Sequence, residues 1–206
     1  MSGSSDAAAH WDAAYDQGDT TRSWFQTAAA MSLELIGKWG DDLNRSVVDV
    51  GGGASTLVDG LLSTGHRDIT VTDISPVGLA TAQRRLGPGS PHVQWLQHDV
   101  RTWRPERTFD LWHDRAVLHF MVTHADQEGY RRALLEGTHR GSVVIIATFG
   151  PDGPSQCSGL PTLRRDVDSL MNFLGDDFRL AHERLADHVT PTGAVQQFQW
   201  VVAERS

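Results

Sequence analysis

An α/β fold, with helices covering a mostly parallel sheet, is predicted on three observations. The apolar run Val47–Val50 breaks into Gly51-Gly52-Gly53 and then a helix-like stretch, the pattern of a buried strand feeding a helix. Apolar runs and amphipathic stretches then alternate down the chain, and several runs lead into an acidic residue, as at Asp73 and Asp99. The last two runs, 178–182 and 194–203, are separated only by a turn-rich segment, so they pair antiparallel and close the sheet with a hairpin.

Each element follows in order. Residues 6–17 read as a helix, Gly18-Asp19 as a turn, and Trp24-Phe25 introduces a second helix from Gln26 to Trp39. The aromatic side chains Trp11, Tyr15, Trp24 and Phe25 pack as a core flap, or close over a cofactor and shape an acceptor pocket, or both. Residues 1–39 thus form an arm or lid on a single domain that continues over 40–206.

After the glycine turn comes a helix through Leu61-Leu62, then a second strand, Ile69–Thr72, ending at Asp73. Ser75-Pro76 starts a helix that stops at Gly87-Pro88-Gly89, because proline presets the first helical turn and glycine ends it. A third strand, 93–96, runs into His98-Asp99-Val100, and a fourth, 109–112, leaves through His113-Asp114-Arg115 toward His119. A helix over 126–138 precedes the most apolar run, Val143–Ala147, which is expected to be central in the sheet. The segment 151–161, rich in proline and glycine and carrying Cys157, is too long and rigid for a simple connection, and a helix from Asp166 to Leu174 follows it.

Composition narrows the function. The 206 residues suit one domain with a substantial core, and a net charge of −8 argues against nucleic acid as a partner. The pairs Arg84-Arg85, Arg131-Arg132 and Arg164-Arg165 read as solvated helix faces. The N-terminus has neither a basic start nor an apolar core, and no run approaches the roughly 18 apolar residues of a membrane helix, so a cytoplasmic protein is expected, as a monomer or homodimer. With Cys157 the only cysteine, no intramolecular disulfide and no multi-thiolate zinc site can form, and no metal is expected.

The glycine turn is a nucleotide-cofactor loop. Glycines permit positive φ and close approach of a ligand, and the following helix points unpaired N–H groups toward it. A dinucleotide fingerprint fails because Thr56 stands where its third glycine belongs, and the Lys-Ser/Thr ending of a phosphate-binding loop is absent. What remains is D-x-G-x-G-x-S, beginning at Asp49 and ending at Ser55. Asp73, at the end of the second strand, either accepts from both hydroxyls of a ribose or caps the helix starting at Pro76.

Asp49 with Gly51 and Gly53, Asp73, Asp99-Val100, the His113-Asp114 exit and the closing hairpin together resemble the class I S-adenosylmethionine (SAM) methyltransferases over about residues 40–203. The resemblance implies a three-layer Rossmann-like fold with a seven-stranded, mostly parallel sheet and a C-terminal antiparallel hairpin. It implies SAM as cofactor, with S-adenosylhomocysteine as product, held by Asp49, Gly51, Gly53, Ser55, Asp73, Ile74 and His113. Asp99 would accept from the adenine amino group while the Val100 N–H donates to the ring; read by itself, Asp99 starts a turn. The arm is also similar to those of thiopurine and tellurite methyltransferases.

The implied chemistry is in-line displacement of the methyl group onto a small-molecule thiol, chalcogen, amine or oxygen nucleophile, since the exits typical of lysine-modifying and nucleic-acid-modifying relatives are absent. A thiol acceptor ionises by itself, whereas a hydroxyl or ammonium needs a base, for which His119 and then His113 are candidates, with Asp114 beside them. Tyr15, Trp24, Arg115 and Cys157 are candidate substrate contacts. Arg115 either forks onto a substrate carboxylate or pairs with Asp114, and Cys157 is a soft-atom contact or a small buried residue. Protein lysine methylation, a SAM-binding partner without catalysis and an NAD-dependent oxidoreductase are the alternatives; Thr56 and the hairpin disfavour the last.

Overall fold

The computed structural model describes residues 4–16, 18, 20–40 and 42–206, so Gln17 and Asp19, which close the expected first helix and its turn, lie outside the described residues. A seven-stranded sheet forms from β1 (Val47–Val50), β2 (Ile69–Asp73), β3 (Val93–Gln97), β4 (Phe109–Arg115), β5 (Thr138–Phe149), β8 (Phe178–Val189) and β9 (Val195–Arg205). Its order is β3-β2-β1-β4-β5-β9-β8. The first five strands run parallel and β9 runs antiparallel between β5 and β8, as expected of the closing hairpin.

Helices α1 (Ser4–Asp16), α2 (Ala30–Trp39), α3 (Leu57–Thr64), α4 (Pro76–Leu86), α5 (His124–Glu136) and α6 (Val167–Leu174) complete the fold. The crossovers through α3 and α4 step outward to β3, whereas the chain then returns to the other side of β1 and steps the opposite way through α5. Right-handed crossovers therefore put α5 on the opposite face of the sheet. The centre is correspondingly dry: Val47, Val48, Leu111, Trp112 and Val144 through Ala147 are fully buried. Among the described residues no helix is long and apolar enough to cross a membrane.

Boundaries move where local hydrogen bonds outweigh propensity. The second helix starts at Ala30 rather than Gln26, since Gln26 spends its carbonyl on the Thr56 hydroxyl (3.2 Å) and the preceding segment crosses the glycine loop. The Thr123 hydroxyl accepts from Asp126 N (3.1 Å), so α5 begins at His124 and ends at Glu136, leaving Thr138 to begin β5. The proline- and glycine-rich segment folds into a small hairpin, β6 (Gln156–Cys157) against β7 (Leu160–Pro161).

Register fixes the site. Val50 pairs with Thr72 on one side and Asp114 on the other, so Gly51, Asp73 and Arg115 emerge together at the carboxyl ends of β1, β2 and β4. That edge, where the strand order reverses, is where open α/β sheets bind ligands.

Candidate active site

The glycine loop is shaped by what it faces. Gly51 (φ +67°) and Gly53 (φ +43°) both adopt left-handed backbone, and a Cβ on Gly51 would lie 2.0 Å from Val117 Cγ2. On Gly53 it would lie 2.1 Å from the Tyr15 hydroxyl and 2.9 Å from Asp73 Oδ2, so side chain, loop and second strand converge there. Gly51 N and Gly52 N donate to Thr72 O at 2.7 and 3.1 Å, tying the loop to β2. Ser55 Oγ accepts from Leu57 N (3.1 Å) at the start of α3.

Arg85, expected on a solvated helix face, instead reaches back under the loop. Its guanidinium donates to Ala54 O (2.7 Å) and Ser55 O (2.6 Å) and pairs with Asp59 (2.7 Å). Sequence reasoning missed it because only the fold brings a residue 30 positions away onto those carbonyls.

Asp49 lies beneath the loop. His113 Nδ1 donates to Asp49 Oδ1 (2.7 Å), and His113 Nε2 meets Ser32 Oγ of α2 at 2.9 Å. With both ring nitrogens engaged and the side chain buried, His113 braces the loop and takes no place as a base. Asp49 Oδ2 is buried without a hydrogen-bond partner among the described residues, under Gly52, in the wall of a cavity of about 570 Å³ that also borders Ala54, Ser55 and Thr56. An orphaned carboxylate oxygen beside open glycine backbone fits the charged amino group of an amino-acid-bearing cofactor.

A larger cavity of about 840 Å³, measured to its open mouth, adjoins this one at Tyr15, Trp24, Gly51 and Arg115. One end is walled by Asp73, Ile74, Asp99 and Val100. Burial pushes the Asp73 carboxyl up to about 7, the Ser75 N–H (2.7 Å) pulls the other way, and the Asp49 and Asp12 carboxylates add to the rise. Asp73 Oδ1 thus serves the turn before α4, while the helix itself is capped by Ser75, whose Oγ accepts from Gly78 N (3.0 Å). The Asp99 carboxylate, in the wall of this cavity, is held in place by the Arg101 guanidinium (2.6 Å) and backbone N–H (3.0 Å).

The arm roofs this cavity. On α1, Asp12 Oδ1 accepts from Ser75 Oγ (2.5 Å) and Val77 N (3.4 Å) at the start of α4, and Gly78 leaves room for the Tyr15 ring, which a Cβ there would meet at 2.6 Å. Trp11 stands edge-on to Trp24 (5.8 Å) and Phe120 (5.0 Å), and Tyr15 edge-on to Trp24 (6.3 Å). Of the four arm aromatics, Trp11, Tyr15 and Trp24 line the larger cavity and Phe25 the smaller.

The exit from β4 is arranged differently from expectation. Asp114 is fully buried and holds the turn after the strand: its oxygens accept from Val117 N (2.9 Å), Leu118 N (3.1 Å) and the Tyr130 hydroxyl (2.6 Å). Burial raises its carboxyl to about 6, against those three donors. It neither pairs with Arg115 nor faces the cavity. His119 is also fully buried and absent from the lining, stacked on Phe149 at 4.2 Å with neither ring nitrogen partnered among the described residues. Burial, helped by the Arg115 charge, drives its imidazole down to about 3, so the expectation of a general base there is corrected to a neutral packing residue.

Arg115 and Cys157 do reach the larger cavity. Cys157 Sγ lies 3.8 Å from Ser23 Oγ and 3.9 Å from Ser158 Oγ, and burial raises the thiol above its ordinary value. Neither His113, engaged elsewhere, nor His119 joins it in a soft-atom site.

Residues 47–137 match the family described as a methyltransferase domain. The chain is 28% identical over 128 residues to the eEF1A lysine and N-terminal methyltransferase of Mus musculus, covering 61% of this chain and 18% of that protein. It is 26% identical over 112 residues to malonyl-[acyl-carrier protein] O-methyltransferase 1 of Ilyobacter polytropus, covering 54% of this chain and 40% of that one, so the match spans well under half of either relative. In structure it resembles Burkholderia thailandensis 1,6-didemethyltoxoflavin-N1-methyltransferase, solved with bound 1,6-didemethyltoxoflavin and S-adenosylhomocysteine, at a TM-score of 0.74 and 18% identity over 100% of this chain and 92% of that one. The methyltransferase-domain match over residues 47–137, across the glycine loop and the acidic strand ends, thus sits within a fold shared along the whole length of the chain with that methyltransferase structure.

Proposed function

We propose that this chain transfers the methyl group of SAM to a small-molecule nucleophile. The observation that carries the reading is a continuous cleft at the carboxyl ends of β1, β2 and β4, with free carboxylate oxygen at one end and an aromatic pocket roofed by α1 at the other. SAM supplies an activated methyl on a sulfonium, so an acceptor lone pair needs only alignment and exclusion of water. Asp49 Oδ2 takes the cofactor's amino group, Asp73 its ribose hydroxyls, and the backbone at Ile74 and Val100 the edge of its purine. Gly51, Gly53 and Ser55 shape the loop beside it, and the N-terminal arm acts as the lid.

Neither candidate base stands at the acceptor end, since His113 and His119 are both withdrawn into the protein, and His188, the histidine near Arg115, spends its Nε2 on Ser23 O. The favoured acceptor therefore brings its own lone pair near neutral pH, as a thiolate, an unprotonated aromatic amine or a carboxylate. Protein lysine methylation is the second reading, favoured by the likeness to the mouse lysine methyltransferase; the roof of Trp11, Tyr15 and Trp24 weighs against a bulky acceptor.

Calorimetric titration with SAM, S-adenosylhomocysteine and NAD tests the cofactor. Micromolar binding of the first two and none of NAD is expected, followed by S-adenosylhomocysteine formation with a panel of thiols, amines and carboxylates. Binding without turnover on any of them, or on a lysine-bearing protein extract, would point to a non-catalytic SAM-binding protein.

A further inference from the structure

We propose that Arg115 is an anion-binding residue of the acceptor pocket and that the acceptor is a small carboxylate with an apolar body. The inference rests on the methyl-transfer reading above and names its substrate class.

The guanidinium is held in place but left incomplete. One amino group, Nη1, donates to Trp24 O at 3.0 Å, and the plane lies over the Phe198 ring at 4.9 Å from its centroid. The other, Nη2, is buried and has no hydrogen-bond partner among the described residues. The neighbouring carboxylate in sequence is not available, because Asp114 is saturated by two backbone donors and the Tyr130 hydroxyl. Two further acidic groups are at hand: Asp49, which acts on Arg115 through its charge while its Oδ1 is held by His113, and the Cys157 thiol, which burial keeps neutral. A buried cation with an unfilled hydrogen-bond donor is costly, and arginine keeps its charge: burial lowers this one only to about 10, with the Asp49 carboxylate pulling the other way. An anion arriving from outside would relieve that cost and find two N–H donors in a rigid fork.

Position favours the acceptor as the source of that anion. The side chains around the guanidinium are Phe198 of β9, Cys157 of the β6–β7 hairpin and, through Ser23, His188 of β8, whose Nε2 meets Ser23 O at 2.7 Å. Strands β8 and β9 lie on the far side of β4 from β2, which ends at Asp73, and from β3, which leads into Asp99. Around the same end the cavity is lined by Trp11, Val117, Phe120 and Met121, a surface for an apolar body. Arg115 also borders the smaller cavity beside the glycine loop, so the carboxylate of the cofactor is the rival partner.

The test compares 2-mercaptobenzoate with its neutral amide, titrated into protein saturated with S-adenosylhomocysteine, for the native chain, Arg115→Met and Arg115→Lys. Loss of a charge-assisted hydrogen bond sets the scale, so the acid should bind at least about tenfold tighter than the amide to the native chain. That preference should vanish in Arg115→Met and return in part in Arg115→Lys, while affinity for S-adenosylhomocysteine stays within about threefold in each, which also shows that the variants fold. Equal binding of acid and amide to the native chain, or no binding of either, would overturn the proposal. So would Arg115→Met weakening S-adenosylhomocysteine about tenfold while keeping the preference, since the guanidinium would then serve the cofactor. Failure of the native chain to bind S-adenosylhomocysteine at all would instead remove the methyl-transfer reading beneath it.

Discussion

His113 Nδ1 donates to Asp49 Oδ1 across 2.7 Å, between residues that face each other on neighbouring strands β4 and β1 and are both almost wholly buried. The pair ties the floor of the glycine loop to the strand that carries Arg115, with Ser32 of α2 as the third member. Removing the imidazole leaves a buried carboxylate without its donor. His113→Ala should therefore lose about 3 kcal/mol of stability, read from urea unfolding, and weaken S-adenosylhomocysteine in calorimetry. An unchanged unfolding midpoint would show that the pair braces nothing.

As the proposed ribose acceptor, Asp73 should make cofactor binding depend on pH. Its carboxyl is raised from 3.8 to about 7 by burial, and the ionised form is the better acceptor for two hydroxyls. Affinity for S-adenosylhomocysteine should thus weaken about tenfold from pH 8 to pH 6, and Asp73→Asn should bind weakly and without that slope. Stability of the cofactor-free protein runs the other way for this group: the contribution of the protonated acid is full below pH 3.8 and is lost as pH rises through about 7. A flat binding profile in the native chain would mean that Asp73 is already ionised throughout.

His119 acts on stability instead of chemistry. Its folded-state value of about 3 lies below the ordinary 6.5, so the stability that the neutral ring contributes is present above pH 6.5 and is lost as pH falls toward 3. His119→Phe should lose less stability than the native chain between pH 6.5 and pH 4, by a few kcal/mol at about 1.4 kcal/mol per pKa unit. Turnover on any accepted substrate should change less than about threefold; a loss of a hundredfold or more would restore it as a base.

Gly53 couples the loop to the arm. A methyl group there would overlap the Tyr15 hydroxyl at 2.1 Å while the backbone holds φ at +43°. Gly53→Ala should weaken S-adenosylhomocysteine at least about tenfold, and adding Tyr15→Phe should recover part of that loss, because contacting residues do not act additively. Additive losses in the double variant would show that the hydroxyl and the loop do not meet.

Much of this was legible in the sequence where one residue type admits one backbone. Gly51 and Gly53 marked the turn, Asp73 the end of β2, and the pairing of the last two strands the closing hairpin. The residues misread were those whose roles depend on distant partners. Asp114 and His119 stand beside the cavity in sequence, but the alternation of β4 turns Asp114 to the face opposite Arg115, and the turn at Leu118–Phe120 carries His119 into the core. Arg85 looked solvated because its carbonyl partners lie on another crossover.

The latch between Asp12 and Ser75 sets a timetable as well as a shape. Helix α1 reaches the nucleoside end through Tyr15, beside Gly53 and Asp73, and the acceptor end through Trp11, against Phe120. Under the proposed transfer, spent cofactor and methylated product then share one door, and each cycle waits on the undocking of a single helix. A solvent made more viscous would slow such a cycle even though no bond to the methyl group changes.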